Sequence, residues 1–190
     1  MIYAPDRGFL FIHIGRTGGA SVERTLCQGL GIDFETTKKD SQGRWWKHIW
    51  AREMMRKIGV DDWDSCFTFA FTRNPYDMIL SLYSMYTQYP EYIDPEKHPR
   101  LHHHWNQFEN FEHFILSMGA RQHAPDEEWT IPLKKLNAKT TMDVWDSLQN
   151  LQTSYLTDSR GGRKTPGRIL IDYVGQYENL EDDFRHVCQR

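Results

Sequence analysis

Two short segments of this sequence combine glycine, hydroxyl and arginine residues in a way that suits anion binding. The first, Gly15–Ser21, reads Gly-Arg-Thr-Gly-Gly-Ala-Ser directly after an apolar run and is called the glycine loop below. Glycines let main-chain N–H groups approach an anion, and a helix that follows directs its positive end at the same point. Arg16 adds charge, and Thr17 and Ser21 add hydroxyl donors. Alone, the loop fits a structural turn equally well.

The second segment carries an arginine and, further along, a serine. Arg73 follows another apolar run, and Ser81 stands eight residues later, about two helical turns beyond. A guanidinium can grip two oxygens of a phosphate, and a serine hydroxyl can add a further contact. Taken alone, the two residues fit a salt bridge and an ordinary helical serine. Only the two segments together favour an anion site.

Apolar periodicity indicates which elements position these segments. Strand-sized apolar runs at Phe9–Ile14 and Cys66–Thr72 end at the two segments, and Ile169–Val174 is a third strand candidate. Helical spacing is found over residues 19–30, 48–58, from 75 onward, and over 108–118, 144–155 and 180–187. Strands that alternate with helices predict an α/β fold of three layers, with a central parallel sheet flanked by helices. Such sheets bind ligands at the carboxyl ends of their strands.

Composition and charge bound the remaining possibilities. With 190 residues, 39% of them hydrophobic, the chain predicts one domain over residues 1–190. The net charge of −3 argues against nucleic acid as a partner. No apolar run is as long as a membrane-spanning helix, which needs about 20 residues, and the first residues lack a secretory signal. Three scattered cysteines fit a reducing compartment, so a cytoplasmic location is expected.

Together, the two segments resemble the nucleotide-binding motifs of sulfotransferases. Residues 11–21 are similar to the 5′-phosphosulfate loop of that family, and residues 69–83 are similar to its 3′-phosphate motif. A third stretch, Tyr173–Leu180, is similar to the family's late strand and helix. The stretches lie in the family's order between about residues 9 and 187. They most resemble the carbohydrate type that includes heparan sulfate 2-O-sulfotransferases.

The resemblance implies a P-loop-like fold and a sulfotransferase whose donor is 3′-phosphoadenosine 5′-phosphosulfate (PAPS). PAPS is then a co-substrate: its sulfuryl group moves by in-line displacement to a hydroxyl or amine of an acceptor, and adenosine 3′,5′-bisphosphate is released. No metal is required. Family analogy favours a saccharide, or another small hydroxylated molecule, as the acceptor, and it assigns residues 88–145 to acceptor-side loops and helices. Nothing in the sequence indicates an oligomeric state.

Carried over residue by residue, the resemblance also implies roles for particular side chains. The 5′-phosphosulfate would be held by Arg16, Thr17, Gly18, Gly19, Ala20 and Ser21, and the 3′-phosphate by Arg73 and Ser81. His48 stands where the carbohydrate type has a catalytic base, and imidazole, which titrates near neutrality, suits removal of a proton from a sugar hydroxyl. Arg16 is also assigned a catalytic role, the stabilisation of charge on the leaving phosphate.

One position departs from the family, and two alternative functions stay open. The family usually has Pro-Lys where this chain has Gly15 and Arg16. Arginine keeps the charge but does not readily release a proton, so we expect it to stabilise charge rather than to protonate the leaving group. A non-catalytic nucleotide-binding relative is therefore one alternative. The other is a P-loop phosphotransferase that uses ATP, although no magnesium ligand is evident and no Lys-Ser/Thr pair follows the glycines of the loop.

The run His102–His104 raises the question of a metal site. Adjacent histidines do not easily direct three rings at one ion, and no cysteine or carboxylate stands at a zinc-like spacing. A solvated or acceptor-facing loop is the favoured interpretation of this run.

Overall fold

A computed structural model describes residues 1–34, 48–88, 110–115, 152–158 and 167–190. Two compact units contain them: Met1–Asn74 with Asn150–Arg190, and Pro75–Gln149. The first unit is built on a four-stranded sheet. Its strands, in spatial order, are β1 (Ile2–Ala4), β2 (Phe9–Ile12), β3 (Phe67–Thr72) and β4 (Tyr173–Gln176). β1 pairs antiparallel with β2, whereas β2, β3 and β4 run parallel.

Helices follow the strands along the chain. They are α1 (Gly19–Leu30), α2 (Ala51–Ile58), α3 (Val60–Asp64), α4 (Pro75–Gln88), α5 (Gln152–Leu156) and α6 (Leu180–Val187). Single 3₁₀ turns occupy Pro5–Arg7 and Tyr177–Asn179. No helix within these described ranges is both long and apolar enough to cross a bilayer.

The alternation of side chains along the strands gives the sheet two apolar faces. Leu10 and Ile12 of β2 belong to a buried cluster that includes residues of α2, α3 and α5. Phe11 and Phe69 point the other way and pack with residues of α1 and α6, their ring centroids 5.1 Å apart. Burial on both faces requires helices on both faces. The predicted α/β class, with a sheet flanked by helices, is therefore confirmed, and the P-loop-like detail stays a prediction.

The predicted and observed elements agree where periodicity is strong. α1 and α6 have the predicted bounds, and β2 and β3 lie inside the predicted apolar runs. β1 and α3 were not predicted, because three and five residues are too few to show a period. Since β1 is antiparallel, the sheet is mostly rather than wholly parallel.

β4, which corresponds to the third predicted strand, begins at Tyr173, four residues after the predicted start at Ile169. The Asp172 carboxylate accepts hydrogen bonds from the main-chain N–H and the hydroxyl of Thr68, each at 2.7 Å. Ile169 instead forms an isolated antiparallel bridge with Thr157. The apolar run 169–174 thus serves two different pairings, a distinction that hydrophobicity cannot reveal.

In the second unit, aromatic side chains connect α4 with helical residues 111–115. The Tyr83 ring lies 5.3 Å from the Phe111 ring and 5.4 Å from the Phe114 ring, measured between centroids. Phe114 is fully buried. Most of the stretch 88–145, assigned above to the acceptor side, falls outside the described residues, and the assignment of the chain to one domain stays a prediction.

Candidate anion-binding site

The three parallel strands end at one edge of the sheet, and each is followed by residues of the candidate site. β2 leads into the glycine loop, β3 into Arg73 and Asn74, and β4 into the 3₁₀ turn Tyr177–Asn179. The Arg73 side chain bridges the first two segments, since its Nη1 donates to the main-chain carbonyl of Arg16 at 3.3 Å. The glycine loop and Arg73 thus lie together, as expected for strands that share one direction.

Glycine and threonine shape the glycine loop from within. Gly18 has a left-handed φ of 78°, and its carbonyl accepts hydrogen bonds from the N–H groups of Ser21 and Val22 at the start of α1. The buried Thr17 hydroxyl donates to the Ile14 carbonyl at 2.9 Å. The hydrogen of that hydroxyl is therefore used inside the loop, so Thr17 holds the loop closed. Ser21 is exposed on the first turn of α1.

Arg16 has an unusual backbone conformation. It is the one non-glycine residue with positive φ, 66°, among the residues that the structure describes. A side chain in this region costs about 1–2 kcal/mol. Strain of this kind clusters at functional sites, where the surroundings impose it. Here the contact between its carbonyl and Arg73 is one such constraint.

The His13 ring, which the sequence patterns did not indicate as functional, packs against the glycine loop at Gly19. Its Nδ1 pairs with Glu23 Oε1 at 2.8 Å, and both residues are buried. The same Glu23 oxygen contacts the Met1 amino group. A Cβ at Gly19 would lie only 2.2 Å from His13 Cδ2, so only glycine fits there. The sequence signal that could have indicated this pair is a histidine within an apolar run, ten residues before a glutamate on the following helix.

His48 lies beside the glycine loop, before α2. The helix begins at Ala51 rather than at the predicted residue 48 because Trp50 is extended, with ψ of 147°. His48 Nδ1 is 3.0 Å from the His13 carbonyl oxygen. A carbonyl only accepts, so Nδ1 carries the hydrogen and the lone pair of the neutral ring is on Nε2. A Cβ at Gly15 would lie 3.9 Å from His48 Cε1.

Contacts from two distant segments fix Arg73. The Gln152 side chain binds both main-chain groups of Arg73, accepting its N–H at 2.7 Å and donating to its carbonyl at 2.6 Å. The guanidinium carbon lies over the Tyr177 ring, 4.1 Å from the centroid. Arg73 Nε is buried, with no hydrogen-bond partner among the described residues. Because buried N–H groups normally have a hydrogen-bond partner, this nitrogen is suited to donate to a bound anion.

The 3₁₀ turn after β4 is tied to both neighbouring segments. The main-chain N–H of Asn74 donates to Glu178 Oε1 at 2.7 Å, and this hydrogen bond is the main cause of the lowered pKa of Glu178. Gln176 N–H donates to Asp183 Oδ2 at 2.6 Å. Burial by itself would raise the pKa of Asp183, but this bond and those from Tyr173 and Asn179 lower it.

Replacing Asp183 with asparagine should therefore destabilise the protein at neutral pH and progressively less in acid. A carboxyl whose pKa is lower in the folded state stabilises that state fully above its ordinary value of 3.8, and the stabilisation is lost as the pH falls through the lowered value. Urea unfolding of the wild type and the variant between pH 7 and pH 3 checks this. A difference in the free energy of unfolding that stayed constant with pH would contradict it.

The remaining predicted residues are placed as follows. Ala20 is half-buried in the first turn of α1. Ser81 is half-buried on α4, in the second unit, whereas Arg73 belongs to the first, so their shared role stays a prediction. The run 102–104 lies outside the described residues. Within the described ranges, no three His, Cys, Asp or Glu residues are grouped to hold a metal ion.

One family pattern spans the whole chain. A family model described as the sulfotransferase family matches residues 1–190. No curated protein and no solved structure shows a significant match. The match covers the glycine loop, Arg73 and the 3₁₀ turn after β4 within one family pattern.

Proposed function

Because the chain belongs to the sulfotransferase family, we propose that it transfers a sulfuryl group from PAPS to a hydroxyl or amine of an acceptor. Sulfotransferases generally use this donor. The observation that carries the proposal is the contact between Arg73 Nη1 and the Arg16 carbonyl, 3.3 Å long. It joins two cationic segments at one sheet edge, which suits a donor with phosphate groups at both its 3′ and 5′ positions.

The residues at this edge fit the donor. Arg16 and the N–H groups at the start of the twelve-residue α1 would hold the 5′-phosphosulfate, together with Thr17, Gly18, Gly19, Ala20 and Ser21. Gly18 and Gly19 let the loop pack closely on neighbouring side chains, since a Cβ at either position would collide with the ring of Tyr177 or of His13. Arg73, with its buried Nε, would bind the 3′-phosphate, and Ser81 would add a hydroxyl.

The proposed chemistry assigns two roles to side chains of this chain. When bound, PAPS supplies a sulfuryl group joined to a phosphate oxygen. An acceptor oxygen attacks the sulfur in line with that bond, and the phosphate oxygen leaves. His48 Nε2 accepts the acceptor's proton as the new oxygen–sulfur bond forms, a role for which the hydrogen bond from Nδ1 to the His13 carbonyl selects the right tautomer. Arg16 stabilises the negative charge left on the phosphate oxygen, which keeps the electron pair of the broken bond.

We further propose an enzyme of the carbohydrate type, with a P-loop-like fold and a saccharide acceptor. The support is the likeness of residues 11–21, 69–83 and 173–180 to motifs of that type, together with the position of His48 beside the glycine loop. Imidazole suits a neutral sugar hydroxyl, which is a poor nucleophile until its proton is removed.

Calorimetry in EDTA with adenosine 3′,5′-bisphosphate and with ATP tests the proposed donor site. We expect the wild type to prefer the bisphosphate, and Arg73→Ala to weaken its binding about tenfold to a hundredfold, because a hydrogen-bonded charge contact is lost. Arg185→Ala is the matched control, since that arginine is exposed on α6 and pairs with Asp182. No binding, or a preference for ATP that needs Mg²⁺, would contradict the proposal and favour the phosphotransferase.

A further inference from the structure

The Tyr177 ring contacts both cationic segments of the site, although neither the sequence motifs nor the proposed chemistry assigns it a role. It begins the 3₁₀ turn that follows β4. One contact of its ring is the Arg73 guanidinium, whose carbon lies 4.1 Å from the ring centroid. Tyr177 remains 36% exposed, so it is a surface residue held by these contacts rather than part of the core.

The same ring packs on the glycine loop. A Cβ at Gly18 would lie 2.8 Å from Tyr177 Cδ2 and 2.9 Å from Cε2, so the ring occupies the space that any side chain at residue 18 would need. Gly18 precedes α1 directly and has a left-handed φ of 78°, which independently favours glycine. One aromatic ring therefore packs on both Gly18 and the Arg73 guanidinium, and the guanidinium itself contacts the glycine loop at the Arg16 carbonyl.

This arrangement matters for a ligand that has charged groups at two ends. Arginine side chains have several rotatable bonds, and ordering one on binding costs free energy. A guanidinium that is already held against an aromatic face loses less of this freedom when it binds a phosphate. Gln152 holds only the main chain of Arg73, whereas the guanidinium itself contacts the Tyr177 ring and the Arg16 carbonyl.

Resting on the proposed function, we infer that Tyr177 is a positioning residue that sets affinity for the 3′-phosphate by orienting the Arg73 guanidinium beside the glycine loop. The aromatic face does this, and the hydroxyl is not required. Tyr177 thus determines specificity for a 3′,5′-bisphosphorylated nucleotide over one that lacks the 3′-phosphate.

The test compares adenosine 3′,5′-bisphosphate with adenosine 5′-phosphate, by calorimetry in EDTA on the full chain. Tyr177→Leu and Tyr177→Met remove the aromatic face, and Tyr177→Phe is the matched control that keeps it. We expect the first two variants to weaken the bisphosphate about 3-fold to 30-fold, with the affinity for adenosine 5′-phosphate unchanged. Tyr177→Phe should retain wild-type preference. In an Arg73→Ala background, Tyr177→Leu should have no further effect on the bisphosphate.

The outcomes separate this inference from the proposed function. Equal affinity of the wild type for the two nucleotides would overturn the proposed function and, with it, the inference. A wild-type preference for the bisphosphate that both Tyr177→Leu and Tyr177→Met leave intact would overturn the inference alone. So would an equal loss for both nucleotides, which is the effect of a purely structural role. Thermal unfolding of each variant identifies one that does not fold, and the other aliphatic variant then decides.

Discussion

Replacing His48 with asparagine is expected to lower turnover about a hundredfold to ten-thousandfold while leaving the affinity for adenosine 3′,5′-bisphosphate unchanged. The asparagine amide can still donate to the His13 carbonyl, which His48 Nδ1 contacts at 3.0 Å in the wild type. It has no basic nitrogen to replace Nε2. The substitution therefore removes proton transfer and spares the local hydrogen bond, so turnover should fall without loss of the donor site.

The measurement is the release of the bisphosphate from PAPS in the presence of saccharides that support turnover by the wild type. His186→Asn serves as the control, because His186 is exposed on α6 and its ring contacts Tyr173 instead of the glycine loop. Wild-type turnover should fall in acid as the base becomes protonated, and the His48→Asn variant should lose this dependence. If the variant turned over at the wild-type rate, His48 would not be the base.

The second large effect is expected at Gly19, where alanine should destabilise the protein by about 1–3 kcal/mol. The added Cβ would lie 2.2 Å from His13 Cδ2 and 2.4 Å from its Nε2. The imidazole cannot move aside easily, because it is buried and its Nδ1 pairs with Glu23 at 2.8 Å. The start of α1 must shift instead, so binding of the bisphosphate should weaken as well.

Gly29→Ala is the matched control for this prediction, since it makes the same chemical change in the same helix. A Cβ at Gly29 meets no atom within 4 Å. Alanine there should be neutral or stabilising by up to about 1 kcal/mol, as helix propensity dictates. Chemical unfolding of the two variants gives both free energies. Equal stability of the Gly19→Ala and Gly29→Ala proteins would show that the His13 ring does not restrict residue 19.

The sequence by itself determined the elements whose signals are local. The period of apolar residues defined α1 and α6, and the apolar runs located β2 and β3, because burial on a helix or strand face leaves a repeat that one segment carries alone. It also predicted that the glycine loop and Arg73 share one edge, since parallel strands end on the same side of a sheet. The structure places them in contact, with Arg73 Nη1 3.3 Å from the Arg16 carbonyl oxygen.

Only the tertiary structure decided which partners hold these residues. Gln152 stands 79 positions from Arg73 and Glu178 stands 104 positions from Asn74, and neither separation leaves a periodic signal. The tautomer of His48 likewise depends on a carbonyl 35 positions away. The physical reason is that hydrophobic patterning specifies which face is buried, whereas a hydrogen bond or a ring contact between distant segments depends on how the sheet brings them together.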